Sequence, residues 1–332
     1  MQKSEAASPQ QPPAAGEGTP VPAAGVGAPA PASGLASPSA AAAPAKGPAQ
    51  LSEVRILDAT AWREYRGQPG TDTFNSTHIA MIADESKVER LCFVKLAANP
   101  GRPTLLCEAM GWVLAGHAGL KRAEFAAVVF VDKARLAKSQ VLSPECEAYP
   151  GDSIPAWCSQ AIPGKSVLSS AKTIYKPGML FFQELKAFLN SADARKFAAF
   201  DRWTGLRDRN MGNVIRHASG GYASIDHETL LHDLLWGSSD FLFHCLVTKA
   251  EKDLDSKRIK AFKADMTRAA LGHPKALADA QRELNEILRV FLPATAAGLH
   301  AAVLDFLDQR SQRGWLAGEL GVLDMAAKED KP

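Results

Sequence analysis

Phe200-Asp201-Arg202-Trp203-Thr204-Gly205-Leu206-Arg207-Asp208-Arg209-Asn210-Met211-Gly212-Asn213, with its continuation to Ile225-Asp226-His227, is the stretch that decides the reading of this chain. Asp208 is followed five residues later by the amide Asn213. A short apolar run (Val214, Ile215) then reaches Ser219-Gly220-Gly221, and a second run from Tyr222 to Ile225 ends in another acid, Asp226. Two such runs joined by a glycine-containing turn predict a β-hairpin. Its closed base would bring Asn213 close to Asp226, with Asp208 on the loop just before.

A carboxylate, an amide oxygen and a second carboxylate at one end of a hairpin suit phosphoryl transfer. One acid orients an attacking hydroxyl and accepts its proton, while the amide and the other acid hold Mg²⁺ on the phosphates of a nucleotide. Asp208 is expected as the base and Asn213 with Asp226 as metal ligands. The bland alternative is a polar turn, since Asp, Asn and Gly dominate turns for local reasons. The hairpin and its terminal acid favour the functional reading.

The segment Asp208-Arg209-Asn210-Met211-Gly212-Asn213, followed by Ile225-Asp226-His227, resembles the catalytic segment of HipA-like kinases. It is also similar to that of the phosphatidylinositol-kinase-like group. It departs from the HipA pattern at Asn210, where His is usual, and at Leu206, where an Asn often precedes the Asp-Arg pair. The resemblance implies an α+β, two-lobed protein-kinase-like fold, with a β-rich N-lobe over about 51–161 and a mainly helical C-lobe over about 162–325. It also implies ATP and Mg²⁺ as cofactors and a protein serine or threonine as acceptor.

Upstream, Leu91 to Leu96 predicts a strand on which Lys95 is the one charged residue. A lysine there is costly unless a partner neutralises it. Glu108 follows thirteen residues later, in a run whose apolar residues Leu105, Met110 and Val113 recur at helical spacing. Kinases pair a strand lysine on the nucleotide phosphates with a helix glutamate, and Lys95 and Glu108 match those roles. Taken singly, an edge lysine and a solvated glutamate are the commoner fates. By the same resemblance Pro155 to Gly164 is the last N-lobe strand and hinge, where Ser159, Gln160 and Ala161 would meet the adenine edge. Tyr65 to Asn75 reads as a loop able to fold over phosphates, set before a strand His78 to Ala83. Val54 to Leu57 reads as a first strand or its lead-in, and Phe125 to Val131 as a buried strand.

Beyond these, Gly178 to Leu189 reads as an amphipathic helix, and Ser191 with Asp193 caps a helix from Ala192 to Phe200. Further helices are expected at Ser239 to Ala250, Pro274 to Phe291 and Ala294 to Gln309, and residues 132–153 carry no clear pattern. Residues 1–50 hold 10 of the 21 prolines and no aromatic residue, a composition that cannot bury enough apolar surface to order itself. They are read as a disordered tail, and the end of the chain after Leu323 as frayed.

Composition narrows the class. A net charge of +2 gives no electrostatic case for nucleic acid. No apolar window reaches the length of a membrane span. Five scattered cysteines, none in C-x-x-C spacing, read as reduced thiols of a cytoplasmic protein. The histidines show no metal-ligand spacing. Two rival functions remain on the sequence: a lipid or small-molecule kinase, which the absence of Lys and Arg from 227–240 disfavours, and a non-catalytic nucleotide-binding module, which has no need of Asp208.

Overall fold

The computed structural model describes residues 53–69, 77–139, 142–170, 177–236 and 245–322. Over these the chain is mixed α/β, with a β-rich first part and a largely helical second part. The elements of the first part are β1 (Arg55–Leu57), β2 (Trp62–Gly67), β3 (Thr77–Ala83), β4 (Glu89–Leu96), α1 (Thr104–His117), β5 (Ala126–Asp132), α2 (Lys133–Lys138), α3 (Pro144–Ala148) and β6 (Ser153–Gln160). Its six strands form one sheet in the order β1-β5-β6-β4-β3-β2. All neighbours run antiparallel except β1 and β5.

Alternation along β4 sorts the sheet into two faces. Cys92, Val94 and Leu96 point to a core shared with Ala80, Ile82 and Val129. Lys95, Phe93 and Leu91 point the other way, toward the side where α1 lies. Eleven residues of α1 are buried, Glu108 among them, because the helix is enclosed by the sheet and the helical part. A helix apolar nearly all round is one with no free face.

The second part continues with β7 (Gly164–Ser166), α4 (Val167–Ser170), α5 (Pro177–Leu189), α6 (Ala192–Thr204), β8 (Val214–His217), β9 (Tyr222–Ser224), α7 (His232–Leu235), α8 (Leu246–Asp253), α9 (Ser256–Ala270), α10 (His273–Phe291), α11 (Ala297–Ser311) and α12 (Trp315–Leu320). The expected hairpin is β8–β9, and β7 adds a third strand that the sequence did not announce. The Ser191 hydroxyl accepts from the Ala194 N–H at the start of α6, as expected of a cap. Asp193, expected to share that role, instead accepts from the Tyr222 N–H at 2.8 Å and so ties α6 to the hairpin.

Several boundaries differ from the sequence reading. Tyr65 to Gly67 belong to β2, so they are not loop, while 70–76 lie outside the described residues. The helix expected at Ser239 to Ala250 is observed as α8, starting at Leu246; residues 237–244 lie outside the description, as do 1–52 and 323–332. The segment read as patternless carries α2 and α3. Both are capped by an acid or hydroxyl (Asp132, Ser143) and too short for a periodic signal.

His273, at the start of α10, stacks on Trp203 with ring centroids 4.4 Å apart and is only 4% exposed. Burial pushes its pKa down from 6.5 to about 4, so the ring is neutral in the folded protein. The unfolded chain binds the proton more readily. The stabilisation is therefore complete above about pH 6.5 and is lost as pH falls toward 4, on the order of 3 kcal/mol across that window. His273→Phe keeps the stacking and should flatten this part of the acid limb in urea denaturation at pH 7 and pH 5. Identical pH slopes for the two proteins would show that His273 is not its source.

Candidate functional site

The base of the hairpin is built from local geometry. α6 ends at Gly205, whose left-handed backbone (φ +66) turns the chain sharply; a Cβ there would also lie 2.9 Å from Phe306. Leu206 is buried at that turn and its N–H donates to Asp201 O, which is the local reason for an apolar residue there. The loop that follows is held from inside by Arg209. Its guanidinium donates to Asp201 Oδ1 at 2.8 Å and to Ile225 O at 2.9 Å, and its side chain is fully buried. Burial pushes the Asp201 pKa up, and the Arg209 charge works against that rise.

Asn210 donates from Nδ2 to both oxygens of the Asp208 carboxylate (3.3 and 3.2 Å), and its Oδ1 accepts from the Gly212 N–H at 2.8 Å. The Asp208 N–H donates to Thr229 Oγ1. Asn213 donates from Nδ2 to Asp208 O at 3.1 Å, which leaves its amide oxygen as the atom for a cation. Ile225 N–H donates to Asn213 O, extending the β8–β9 ladder by one step and setting Asn213 beside the Ile225-Asp226 peptide. Asp208, Asn213 and Asp226 are therefore gathered as the sequence implied.

Lys95 joins this loop to the sheet. Its ammonium donates to Glu108 Oε1 at 2.6 Å, to Asp226 Oδ1 at 2.7 Å and to Glu228 Oε2 at 3.1 Å. Burial works to lower the Lys95 pKa, but Asp226, Glu108 and Glu228 outweigh it and hold the ammonium well above the ordinary lysine value. Burial also works to raise Asp226, and Lys95 overcomes it, so Asp226 stays below the usual carboxylate range. Glu108 is different. Burial pushes it up to about 7, with the Asp226 charge adding to the rise and Lys95 opposing it. Three ionised carboxylates around one ammonium leave two negative charges in excess, and the most buried acid bears that cost.

Exposure separates their roles. Glu108 is 2% exposed, and its second oxygen accepts from the His227 N–H at 3.0 Å, so it anchors Lys95 and the Asp226 segment together. Asp226 is 34% exposed and open to a ligand. It has a left-handed backbone (φ 60), which Asp tolerates better than most residues. Carboxylate oxygens of Glu108, Asp226 and Glu228 lie within 4.8 Å of one another, and this excess negative charge fits a divalent cation. Sequence reading named Asn213 and Asp226 and missed Glu228, which follows Asp226 by two residues and has Thr104 Oγ1 donating to it at 3.3 Å. The cue for it was a second acid in Asp226-His227-Glu228. His227 itself is buried and held neutral, its pKa well below the ordinary value through burial and the nearby Arg209 charge.

Gly111 on α1 is needed for this closeness. A Cβ there would stand 2.2 Å from the His227 Cβ. Gly111→Ala should push the Asp226–Glu228 segment off α1 at a cost of about 1–3 kcal/mol, read as a lower melting temperature. An unchanged melting temperature would mean that the segment does not pack there.

Next to Lys95 the same sheet face is apolar and part open. Phe93 pairs with Ile79 on one side and Ser159 on the other, and Leu91 pairs with Met81. Directly opposite residues share a face, and Leu91 and Phe93 remain 43% and 38% exposed. The N–H groups of Gln160 and Ala161 donate to Phe125 O and Leu91 O inside the sheet. These two donors are thus spent, and the expected hinge contact from 159–161 cannot use them. A cleft of ≈ 30 Å³ beside Lys95, bordered by Asn99, Arg102, Thr104 and Glu228, holds no more than water.

Chemically, the site offers a largely enclosed ammonium, a part-exposed acid and an amide oxygen suited to a cation, and a loop carboxylate, Asp208, suited to accept a proton. No protein-family model matches the chain, and no curated protein matches it. No helix among the described residues is long and apolar enough to cross a membrane.

Proposed function

We propose that this chain is an ATP- and Mg²⁺-dependent phosphotransferase with a two-lobed, kinase-like architecture, moving the γ-phosphoryl group of ATP to a hydroxyl acceptor. The observation that carries the reading is Lys95, bonded at once to Glu108 on α1 and to Asp226 at the foot of the hairpin that also holds Asn213 and Asp208. Three distant segments converge there on the groups that phosphoryl transfer uses.

In this reading Asp226 and the Asn213 oxygen would hold Mg²⁺, with Glu228 beside them, and the ion would supply neutralisation of phosphate charge. Lys95 contacts the nucleotide phosphates, and Glu108 keeps it in place. The apolar face of Ile79, Met81, Leu91 and Phe93 takes the adenine ring, as apolar linings with few polar groups commonly do. Asp208, oriented by Asn210, accepts the proton of the attacking hydroxyl. Arg209 positions the loop and touches no reactant. A protein serine or threonine is the acceptor suggested by the resemblance to HipA-like kinases.

Calorimetric titration with ATP tests the nucleotide part directly. Binding should require Mg²⁺ in the wild type, and Asp226→Asn should weaken it by about tenfold or more, the scale of one lost charge-assisted contact. Equal affinity with and without Mg²⁺, in both proteins, would remove Asp226 as a metal ligand.

A further inference from the structure

A second cavity, of ≈ 270 Å³, lies among the end of α6, the start of α8 and the last two helices. Its lining includes three arginines: Arg202, Arg207 and Arg310. Asp233 accepts from Arg207 at 2.6 Å and from Arg310 at 3.2 Å, so one carboxylate serves two guanidinium groups. Asp201, also in the lining, is spent on Arg209. Arg202 lies close enough to Asp201 for its charge to act on that acid, and its Nε is buried with no hydrogen-bond partner among the described residues. A buried donor without a partner costs free energy, and an occupant that supplies an acceptor removes that cost.

The start of α8 adds independent support. No side chain caps this helix, and Cys245, Leu246, Val247 and Thr248, its cap and first turn, line the cavity. Uncapped N–H groups at a helix start favour an anion. Leu206, Leu246 and the Trp315 ring give the remainder an apolar character, and Glu319 is a further acid of the described lining.

We propose that this cavity binds a small phosphate-bearing molecule, its phosphoryl group held by Arg202 and the first turn of α8, at a site separate from the Lys95 cluster. The volume suits a phosphate with a short apolar body and is small for a nucleotide. Arg207 immediately precedes Asp208, so an anion drawing on Arg207 acts one peptide unit from the loop carboxylate. The site is thereby placed to regulate that loop, whatever reaction the loop serves.

Inorganic phosphate is the probe. Thermal unfolding of the full chain is compared in sodium phosphate and in sodium chloride at matched ionic strength, because a ligand that binds the folded state raises the melting temperature. The wild type should melt higher in phosphate, and Arg202→Gln should lose that rise. Thr248→Glu, which sets a negative charge at an exposed position of the first turn of α8, should also lose it and is the variant to read if Arg202→Gln does not fold. Arg102→Ala, beside the Lys95 cleft, should keep the rise. The proposal is overturned if the wild type shows no rise, if the substituted cavity that folds keeps it in full, or if Arg102→Ala abolishes it. None of these outcomes depends on ATP or on transfer activity.

Discussion

Asp208→Asn is expected to lower phosphoryl transfer by about 10²–10⁴-fold, the usual contribution of a general base, with an unchanged melting temperature and unchanged affinity for Mg²⁺-ATP. The separation of effects follows from the contacts. Two of the bonds that hold the loop at this position are made by the Asp208 backbone, whose N–H reaches Thr229 Oγ1 and whose carbonyl accepts from Asn213. Asn preserves both, and its side-chain oxygen still accepts from Asn210. What it lacks is the capacity to take a proton. Single-turnover rates with γ-labelled ATP beside a thermal melt decide the matter. A folded variant with full activity would place the proton acceptor elsewhere.

Arg209→Met should behave in the opposite way, losing stability and activity together. The Arg209 side chain has no exposure and satisfies Asp201, which is itself nearly enclosed. Removing one partner of a buried pair leaves an uncompensated charge, at a cost of about 3–5 kcal/mol. The same guanidinium supports Ile225 O, so the strand leading into Asp226 loses its inner support as well. Asp201→Asn combined with Arg209→Met should cost less than the sum of the two single changes, since the orphaned carboxylate is gone. Urea midpoints of the two single variants and the double variant measure this. Additive losses, or a cost within the range of a surface substitution, would contradict the role given to the pair.

These two residues show what the sequence made legible. Asp208, Asn213 and Asp226 could be read because their relation is local: a five-residue interval and a hairpin closed by a glycine turn. Lys95 and Glu108 were readable as a charged exception on an apolar strand and a glutamate on a helix thirteen residues on. Glu228 and Thr229 escaped because polar residues after a hairpin look like turn, and Glu228 meets Lys95 and Thr104 only through the tertiary approach of β4 and α1. The sheet order was not legible either. The parallel pairing of β1 with β5 joins segments some seventy residues apart, and β7 is three residues long, with nothing to mark it until β8 lies alongside.

The helical part carries a different lesson. Asp255 caps α9, with Ile259, Phe262 and Met266 at helical spacing, a signal that the sequence reading, passing from Ala250 to Pro274, left unassigned. The hinge expectation is narrowed for another reason. Ser159 to Ala161 resemble a nucleotide-reading edge in sequence, yet the N–H groups of Gln160 and Ala161 face neighbouring strands. Which backbone donors remain for a ligand depends on strand order, which no local pattern records.

The most direct measurement is transfer of label from γ-labelled ATP in Mg²⁺, with wild type, Asp208→Ala and Asp226→Ala compared side by side. The expected result is label on the protein itself or on a component of an added lysate, lost in both variants. Tight ATP binding that depends on Asp226 but yields no transfer would favour a nucleotide-binding module over an enzyme. A wild-type protein that binds no ATP would contradict the proposed function outright.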